Sequence, residues 1–386
     1  EDAVDLREKV ESGSRKAVVL GAGFIGLEAA EALNHQGLET TIVELAPHVL
    51  PPLDDETAWF ITQEIHRLGI NLHTGVAAEE IIPGADHDTV RLSDGTEIET
   101  DLIVLSVGVR PDTKVFEAAG IATERGAIVV DEHGRTNLDQ IWAVGDATVS
   151  TCPITGARRP VALAGPANRA GRQIADNIIR GDQSMPLPKP LGTSIVRVGE
   201  LTAAMTGANR QALTAAGIDF QTLHLHPNDH AGYFPGATQI HLTVHIRSTD
   251  GLVLGAQAVG QDGVDKRIDV IATAMRANMT ISELIDLDLS YSPPYGQAKD
   301  PVNLAGMVGN NVLDGTLKLW SGHDLADVMG NALILDVRSA QEVASGAVKG
   351  SLNIPHTELR DRLDEVRDAA AGRPVAVMCA SGVRSN

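Results

Sequence analysis

Residues 17–44 read AVVLGAGFIGLEAAEALNHQGLETTIVE and contain the pattern that decides the fold. A short apolar run leads into the G-x-G-x-x-G turn of residues 21–26, and the residues after it have apolar positions at helical spacing. A second apolar run then ends in Glu44, 21 positions beyond Gly23 (44 minus 23). Strand, glycine turn, helix, strand and terminal acid together predict a Rossmann-type dinucleotide-binding unit.

Each residue of this pattern has a physical reason. Gly21 permits the tight turn, Gly23 lets the backbone approach a pyrophosphate, and Gly26 lets helix and strand pack closely. Glu44 would accept hydrogen bonds from the ribose hydroxyls and would repel a 2′-phosphate. Residues 45–52, LAPHVLPP, contain no Arg or Lys to offset that repulsion. The sequence therefore predicts NADH as the nicotinamide cofactor in preference to NADPH.

Composition excludes several classes of function. The length of 386 residues predicts two to four domains, and a hydrophobic content of 43% is ordinary for packed globular cores. A formal net charge of -20 disfavours binding to nucleic acid or to a membrane surface, and no apolar run is long enough to span a bilayer. Cys152 and Cys379 are the only cysteines, which favours a reducing, cytoplasmic location. Because the chain opens with Glu1, we expect the natural N-terminus to lie upstream.

Turn signals and periodicity divide the chain further. A hairpin is predicted around the Ser-Asp-Gly turn of residues 93–95, a strand over 141–144 and a long helix over 167–179. The Pro-rich stretch MPLPKPLG, residues 185–192, marks a linker, and a small α/β unit follows Trp320. The predicted domains are residues 1–115, 116–188, 189–318 and 319–386.

Four segments resemble the flavin-dependent pyridine nucleotide-disulfide oxidoreductases. They are GAGFIGLEAAE (21–31), SVGVRPDT (106–113), TNLDQIWAVGDA (136–147) and LAGPANRAGR (163–172). Within that family the chain is most similar to coenzyme A-disulfide or persulfide reductases fused to a rhodanese domain. The resemblance implies an α/β fold with Rossmann-type nicotinamide and partial FAD domains, an α+β dimerisation domain and a rhodanese domain cut short at its end.

The resemblance also implies roles for individual residues. Glu28 would lie close to flavin and nicotinamide, although by itself it is typical of a surface acid in a first helical turn. Gly108 would border the nicotinamide. The residues expected at the flavin are Gly145, Asp146, Leu163 and Ala164, with Asp146 on the ribityl chain and the last two near the ring.

HAGYFPGA (230–237) and YSPPYGQAKDPVNLAGMVGNN (291–311) resemble the dimerisation region of the same subfamily. The resemblance implies a homodimer in which Tyr291 reaches toward the active site of the partner subunit. The alternative is that Tyr291 is a core aromatic residue beside a proline turn.

One departure from the family is large. The family begins with a first flavin domain, which has its own glycine fingerprint and a redox-active cysteine, and neither occurs in this sequence. We therefore expect this chain alone to bind FAD poorly and to be unable to reduce a disulfide. Cys152, in a polar loop, is expected to be an incidental thiol.

Cys379 begins CASGVRS (379–385), which resembles the active-site loop of single-domain rhodaneses, C-x-x-G-x-R-S. Backbone N–H groups around a thiolate at a strand end would lower its pKa and let it carry a persulfide. Arg384 would bind an anionic sulfur donor or acceptor. Asp336 and Arg338 are expected to be structural. The alternative for Cys379 is a small buried hydrophobic residue.

His224, His226 and His230 could indicate a metal, but they have no convincing acidic or thiol partner, so no metal is expected. The predicted function is FAD-dependent reduction of coenzyme A disulfide or persulfide, or of another low-molecular-weight thiol species, with sulfur transfer at Cys379. Two alternatives stay open: an NADH oxidase or peroxidase on the same scaffold, and a non-catalytic sulfur carrier or redox sensor using Cys379.

Overall fold

The predicted strand, glycine turn and helix are present in the computed structural model, which describes residues 2–382, 384 and 385. The first elements are α1 (Asp2–Glu11), β1 (Lys16–Leu20), α2 (Phe24–His35), β2 (Glu39–Glu44), α3 (Asp55–Arg67), β3 (Asn71–Thr74), β4 (Ala78–Ile82), β5 (Asp88–Leu92), β6 (Glu97–Thr100) and β7 (Leu102–Leu105). A parallel sheet has the order β3-β2-β1-β7. Its carboxyl ends meet beside the glycine turn, where Leu20 is in register with Val43 and Leu105.

The hairpin predicted around residues 93–95 is confirmed. β5 and β6 pair antiparallel, and β4 adds on the other side of β5. The turn closes through a hydrogen bond from Leu92 N–H to the Thr96 carbonyl, with Gly95 at φ +87°.

The next stretch contains α4 (Lys114–Ala118), β8 (Thr123–Glu124), β9 (Ala127–Ile128), β10 (Val149–Thr151), β11 (Arg158–Pro160) and α5 (Ala164–Arg180). The predicted helix over 167–179 is confirmed as part of α5. The predicted strand over 141–144 is wrong, because this segment makes one isolated bridge, between Arg135 and Trp142, and no continuous ladder. The Pro-rich linker of residues 185–192 is irregular, as expected.

The elements that follow the linker are β12 (Ser194–Val198), β13 (Leu201–Gly207), α6 (Arg210–Ala215), β14 (Phe220–Leu225), β15 (Ile240–Arg247), β16 (Val253–Gly260) and α7 (Val264–Arg276). The chain divides into two compact units, and the first comprises Glu1–Asp219 and Leu254–Arg276. In this unit β13 pairs antiparallel with both β12 and β16. Val196 and Met205 share one apolar core with Leu27 and Ile61 of the nucleotide-binding sheet.

The second unit comprises Phe220–Val253 and Ala277–Asn386. Its elements after the β14–β15 hairpin are α8 (Pro301–Leu313), α9 (Leu325–Asn331), β17 (Leu333–Asp336), α10 (Ala340–Ala344), β18 (Leu352–Asn353), α11 (Leu363–Ala370) and β19 (Val375–Met378). The last three strands form a parallel sheet in the order β18-β17-β19 around a small core that includes Leu335, Val337 and Ile354. β19 therefore delivers Cys379 to the carboxyl edge of this sheet. Among the residues that the structure describes, none of the helices combines the length and the hydrophobicity that a bilayer span requires.

Candidate functional site

The glycine turn is shaped by close backbone approaches. Gly21 has φ +103°, and a Cβ there would lie 2.5 Å from the carbonyl oxygen of Ser106. A Cβ at Gly26 would overlap the carbonyl oxygen of Gly21. By contrast, a Cβ at Gly23 would meet no described atom within 4 Å. The first and third glycines are thus required by the fold, while Gly23 faces space that a ligand can occupy.

Ser106, which sequence reasoning missed, joins β7 to this turn. Its hydroxyl lies 2.8 Å from the Leu20 carbonyl and 3.0 Å from the Gly21 carbonyl. The sequence contains a signal for it, because Ser106 is the first residue of the SVGVRPDT segment that also contains Gly108.

Glu44 is buried and holds the turn with both carboxylate oxygens. Oε2 accepts a hydrogen bond from Ala22 N–H at 2.6 Å, and Oε1 accepts one from Ala46 N–H at 2.7 Å. A carboxylate has about four acceptor positions, so capacity remains for ribose hydroxyls. Together with the open face of Gly23 and the N-terminus of α2, the arrangement fits a dinucleotide.

The structure places Glu28 and Gly108 on the surface around this turn. Glu28 is exposed on α2. Gly108 is exposed in the irregular segment after β7, with φ +94°. Their predicted roles at flavin and nicotinamide stay predictions.

Two of the flavin segments meet at the start of α5. The Gly145 carbonyl accepts hydrogen bonds from the backbone N–H and the hydroxyl of Thr148, at 3.0 and 2.7 Å. A Cβ at Gly145 would lie 3.7 Å from Cβ of Ala167 in the first turn of α5. Leu163 is the N-cap residue of that helix, and Asp146 and Ala164 are exposed. Asp146 therefore lies in the turn that contacts the beginning of α5.

Tyr291 forms a pair with Tyr233, which the sequence analysis did not single out. The two hydroxyls lie 3.4 Å apart. Tyr291 is 48% exposed and Tyr233 is 78% exposed. The hydrogen bond with Tyr233 raises the pKa of Tyr291. Tyr291 is therefore not a core aromatic residue of this chain.

The loop that carries Tyr233 is held by His230 and Asp229. His230 Nδ1 donates to Asp229 Oδ2 at 2.6 Å, and this contact raises the pKa of His230. The other carboxylate oxygen of Asp229 accepts from Thr238 N–H at 2.7 Å. The pair fastens both ends of residues 230–238.

The three histidines for which no metal is expected, His224, His226 and His230, have separate partners. His224 lies 3.3 Å from the Thr243 hydroxyl, and His226 pairs with His241 across the strands at 2.7 Å. Burial lowers the pKa of His226, and burial together with the neighbouring His226 lowers that of His241 to about 4.

The Cys379 loop surrounds a half-buried sulfur with donors. Gly382 N–H donates to Sγ at 3.1 Å, and the Ser385 hydroxyl lies 3.4 Å from Sγ. Burial raises the pKa of Cys379, but the Ser385 hydroxyl and the backbone N–H groups of Ser381, Arg384 and Ser385 outweigh it. The net pKa is lowered. A lowered pKa increases the fraction of thiolate, which is the nucleophilic form of cysteine.

Arg384 interacts with both the Cys379 sulfur and Glu342, a residue that sequence reasoning missed. Its two terminal nitrogens donate to the Glu342 carboxylate at 2.9 and 2.6 Å. The same carboxylate completes a capping box with Ser339 at the start of α10. The S-x-x-E spacing at residues 339–342 predicts that Glu342 caps the helix. It does not predict that Glu342 also binds Arg384.

Asp336 and Arg338 form a second ion pair at the end of β17. Arg338 donates to the fully buried Asp336 carboxylate at 2.7 Å and to the Gly346 carbonyl at 2.8 Å. The Asn353 amide donates to the carbonyls of both residues at 2.9 Å. These contacts agree with the structural role expected for Asp336 and Arg338.

Known proteins match this arrangement along the whole chain. Residues 1–171 match the Pyridine nucleotide-disulphide oxidoreductase model, residues 193–301 its dimerisation domain, and residues 321–386 the Rhodanese-like domain. The structure of reduced Bacillus anthracis CoADR-RHD is 38% identical, with a TM-score of 0.94, and the match covers 100% of this chain and 68% of that one. The chain belongs to the pyridine nucleotide-disulphide oxidoreductase family.

Other members of the family are similar over most of this chain. A coenzyme A disulfide reductase of Staphylococcus haemolyticus is 35% identical over 76% of this chain, which spans 65% of that relative's length. The structure of an NAD-dependent persulfide reductase from A. fulgidus is 38% identical, with a TM-score of 0.91 over 99% of this chain and 69% of its own. Membership of the family implies FAD and a nicotinamide nucleotide as cofactors.

Proposed function

We propose that the protein is an FAD-dependent oxidoreductase that uses NADH to reduce a disulfide or persulfide of coenzyme A, and that it transfers sulfane sulfur at Cys379. The proposal rests on the presence of two features in one chain. One is a glycine turn of the dinucleotide-binding type, which Glu44 holds, and the other is a loop whose hydrogen-bond donors surround the Cys379 thiol. The names of the staphylococcal and A. fulgidus relatives support the substrate class. For a disulfide the balance is NADH + H⁺ + RSSR → NAD⁺ + 2 RSH.

In this proposal the first unit binds and orients cofactors. Gly23 and the N-terminus of α2 receive the pyrophosphate, and Glu44 accepts from the ribose. Glu28 and Gly108 border the nicotinamide, while Gly145, Asp146, Leu163 and Ala164 hold the flavin. FAD, when bound, would accept a hydride from NADH and pass two electrons on toward the disulfide or persulfide. Cys152 lies in a turn closed by its own backbone bonds to Gly156 and Ala157, and we assign it no catalytic role.

The sulfur-transfer half rests on Cys379. Its thiolate attacks sulfane sulfur, and the sulfur–sulfur bond of the donor breaks as the donor's remaining thiolate leaves. A persulfide then resides on Cys379 until an acceptor thiol takes the outer sulfur. Holding both sites in one polypeptide raises the effective concentration of the product of one at the other.

The decisive experiment measures NADH oxidation by the flavin-loaded full-length protein with coenzyme A disulfide, coenzyme A persulfide, oxygen or hydrogen peroxide as acceptor. We expect the sulfur compounds to be preferred. Faster turnover with oxygen or peroxide would favour an NADH oxidase or peroxidase. Full-length protein without flavin absorbance would favour a sulfur carrier or redox sensor.

Replacing Glu44 by Gln is expected to lower the NADH to NADPH ratio of kcat/KM by about tenfold, because the change removes the charge that repels a 2′-phosphate. Steady-state kinetics with both nucleotides would measure this ratio. The matched control is Glu39→Gln, an exposed charge at the other end of β2, which should leave the ratio unchanged. A clear preference of the unaltered protein for NADPH would contradict the assignment.

We further propose a homodimer, in which the exposed Tyr291 and Tyr233 face the reacting sulfur of the partner subunit and Tyr291 supplies a proton. Replacing Tyr291 by Phe should lower kcat/KM for coenzyme A disulfide by roughly tenfold, less than is usual for a proton donor because the Tyr233 hydroxyl remains nearby. Tyr295→Phe, also exposed in the same segment, is the control. Equal effects of the two variants would count against a role for the pair.

A further inference from the structure

The charge around Cys379 is balanced by ion pairs. Arg384 is the single Lys or Arg in residues 379–386 of the sequence. Both terminal nitrogens of its guanidinium are bound to the two carboxylate oxygens of Glu342, at 2.9 and 2.6 Å. The arginine that would attract an anionic sulfur donor is therefore already neutralised by a carboxylate.

The second arginine near the loop is neutralised in the same way. Arg338 is bound to the buried Asp336 carboxylate through Nε and a terminal nitrogen. The charges of these two arginines and two acids cancel. The Cys379 thiolate, which also interacts with Arg384, therefore leaves the five side chains with a net negative charge. Electrostatic repulsion at short range then disfavours a donor that places several negative charges at the reacting sulfur.

We propose that Glu342 is a specificity-determining residue that, by neutralising Arg384, makes the Cys379 loop select sulfane sulfur carried on an organic thiol over the thiosulfate dianion. This inference rests on the sulfur-transfer part of the proposed function and names its substrate class.

The two donors place different charges at the reacting sulfur. In the persulfide reaction, Cys379–S⁻ + R–S–SH → Cys379–S–SH + R–S⁻, one sulfur–sulfur bond breaks, one forms, and the total charge of the reacting groups is −1. With thiosulfate, Cys379–S⁻ + S–SO₃²⁻ → Cys379–S–S⁻ + SO₃²⁻, and three negative charges must come together. An unpaired arginine would offset that charge, whereas an arginine bound to Glu342 does so poorly.

The test compares kcat/KM for glutathione persulfide and thiosulfate in the purified full-length protein. We expect the persulfide to be favoured by about 100-fold, which is about 2.8 kcal/mol. Glu342→Gln removes the charge but keeps a residue that suits the third position of a capping box. This variant should gain about tenfold with thiosulfate and change by less than about threefold with persulfide. A parallel fall with both donors would overturn the proposal.

Two further variants separate charge from helix capping. Ser339→Ala removes the capping hydroxyl but keeps the ion pair of Glu342 with Arg384, so the donor ratio should stay unchanged. Ala380→Lys adds an unpaired cation at an exposed loop position and should raise thiosulfate use even if the Gln variant fails to fold. A shift in the ratio for Ser339→Ala, or none for Ala380→Lys, would contradict the charge argument.

The same measurements distinguish a failure of this inference from a failure of the proposed function. If mass spectrometry detects no persulfide on Cys379 with either donor, sulfur transfer itself is refuted. If both donors load Cys379 with equal efficiency, sulfur transfer stands and the assigned selectivity of Glu342 is wrong.

Discussion

Replacing Cys379 by Ser is expected to lower persulfide sulfur transfer by on the order of 10³-fold or more, to the background rate. A serine hydroxyl is not ionised at neutral pH and cannot carry a persulfide. The hydrogen-bond donors that lower the pKa of Cys379 include the Ser385 hydroxyl. They cannot lower the pKa of an alcohol enough to ionise it at neutral pH. Transfer from an organic persulfide to cyanide or to an acceptor thiol would measure the loss.

The same variant should leave NADH-dependent reduction intact, because Cys379 lies in the second unit and the glycine turn in the first. Cys152→Ser is the matched control, and we expect it to retain both activities. Loss of both activities in the Cys379 variant would refute the assignment of two separate sites.

Replacing Gly26 by Ala is expected to lower the free energy of unfolding by about 2 kcal/mol, because the added methyl group would overlap the Gly21 carbonyl oxygen. The displaced turn should also weaken NADH binding by roughly 30-fold or more, the equivalent of about 2 kcal/mol. Denaturant unfolding and calorimetric titration of the flavin-loaded full-length protein would measure the two effects.

Gly23→Ala provides the contrast. A methyl group there meets no described atom within 4 Å, so the stability should change little, yet the group would enter the space assigned to the pyrophosphate. Weaker NADH binding without loss of stability is therefore expected. If Gly23→Ala bound NADH as tightly as the unaltered protein, the ligand would not approach this turn.

Local patterns were sufficient where the physical cause is local. The G-x-G-x-x-G turn, the acid at the end of β2 and the hairpin at residues 93–95 all depend on backbone requirements that the sequence displays directly. The expectation that Cys379 lies at a strand end is confirmed, because β19 (Val375–Met378) ends directly before it. The strand predicted at residues 141–144 failed because apolar residues form a strand only where a neighbour completes the ladder.

The side-chain pairs that could not be predicted from the sequence join residues that are far apart along the chain. Tyr233 and Tyr291 are 58 positions apart, and Glu342 and Arg384 are 42 apart. Side chains that neighbour each other on a helix are three or four positions apart, and those on one face of a strand are two apart. Both of these separations are far longer, so no local pattern in the sequence pairs the residues. Their partners changed the interpretation: Tyr291 is an exposed, hydrogen-bonded phenol, and Arg384 is the positive half of an ion pair.

Trp320 gives a guide to where this protein can be divided. Its indole N–H donates to the carbonyl oxygen of Val377 at 3.2 Å, two residues before Cys379, although the rhodanese-like match begins only at residue 321. A segment excised at the start of that match would remove the hydrogen bond that the Trp320 indole donates to the Val377 carbonyl. Transplanting the sulfur-handling module onto another carrier protein therefore calls for a junction upstream of Trp320.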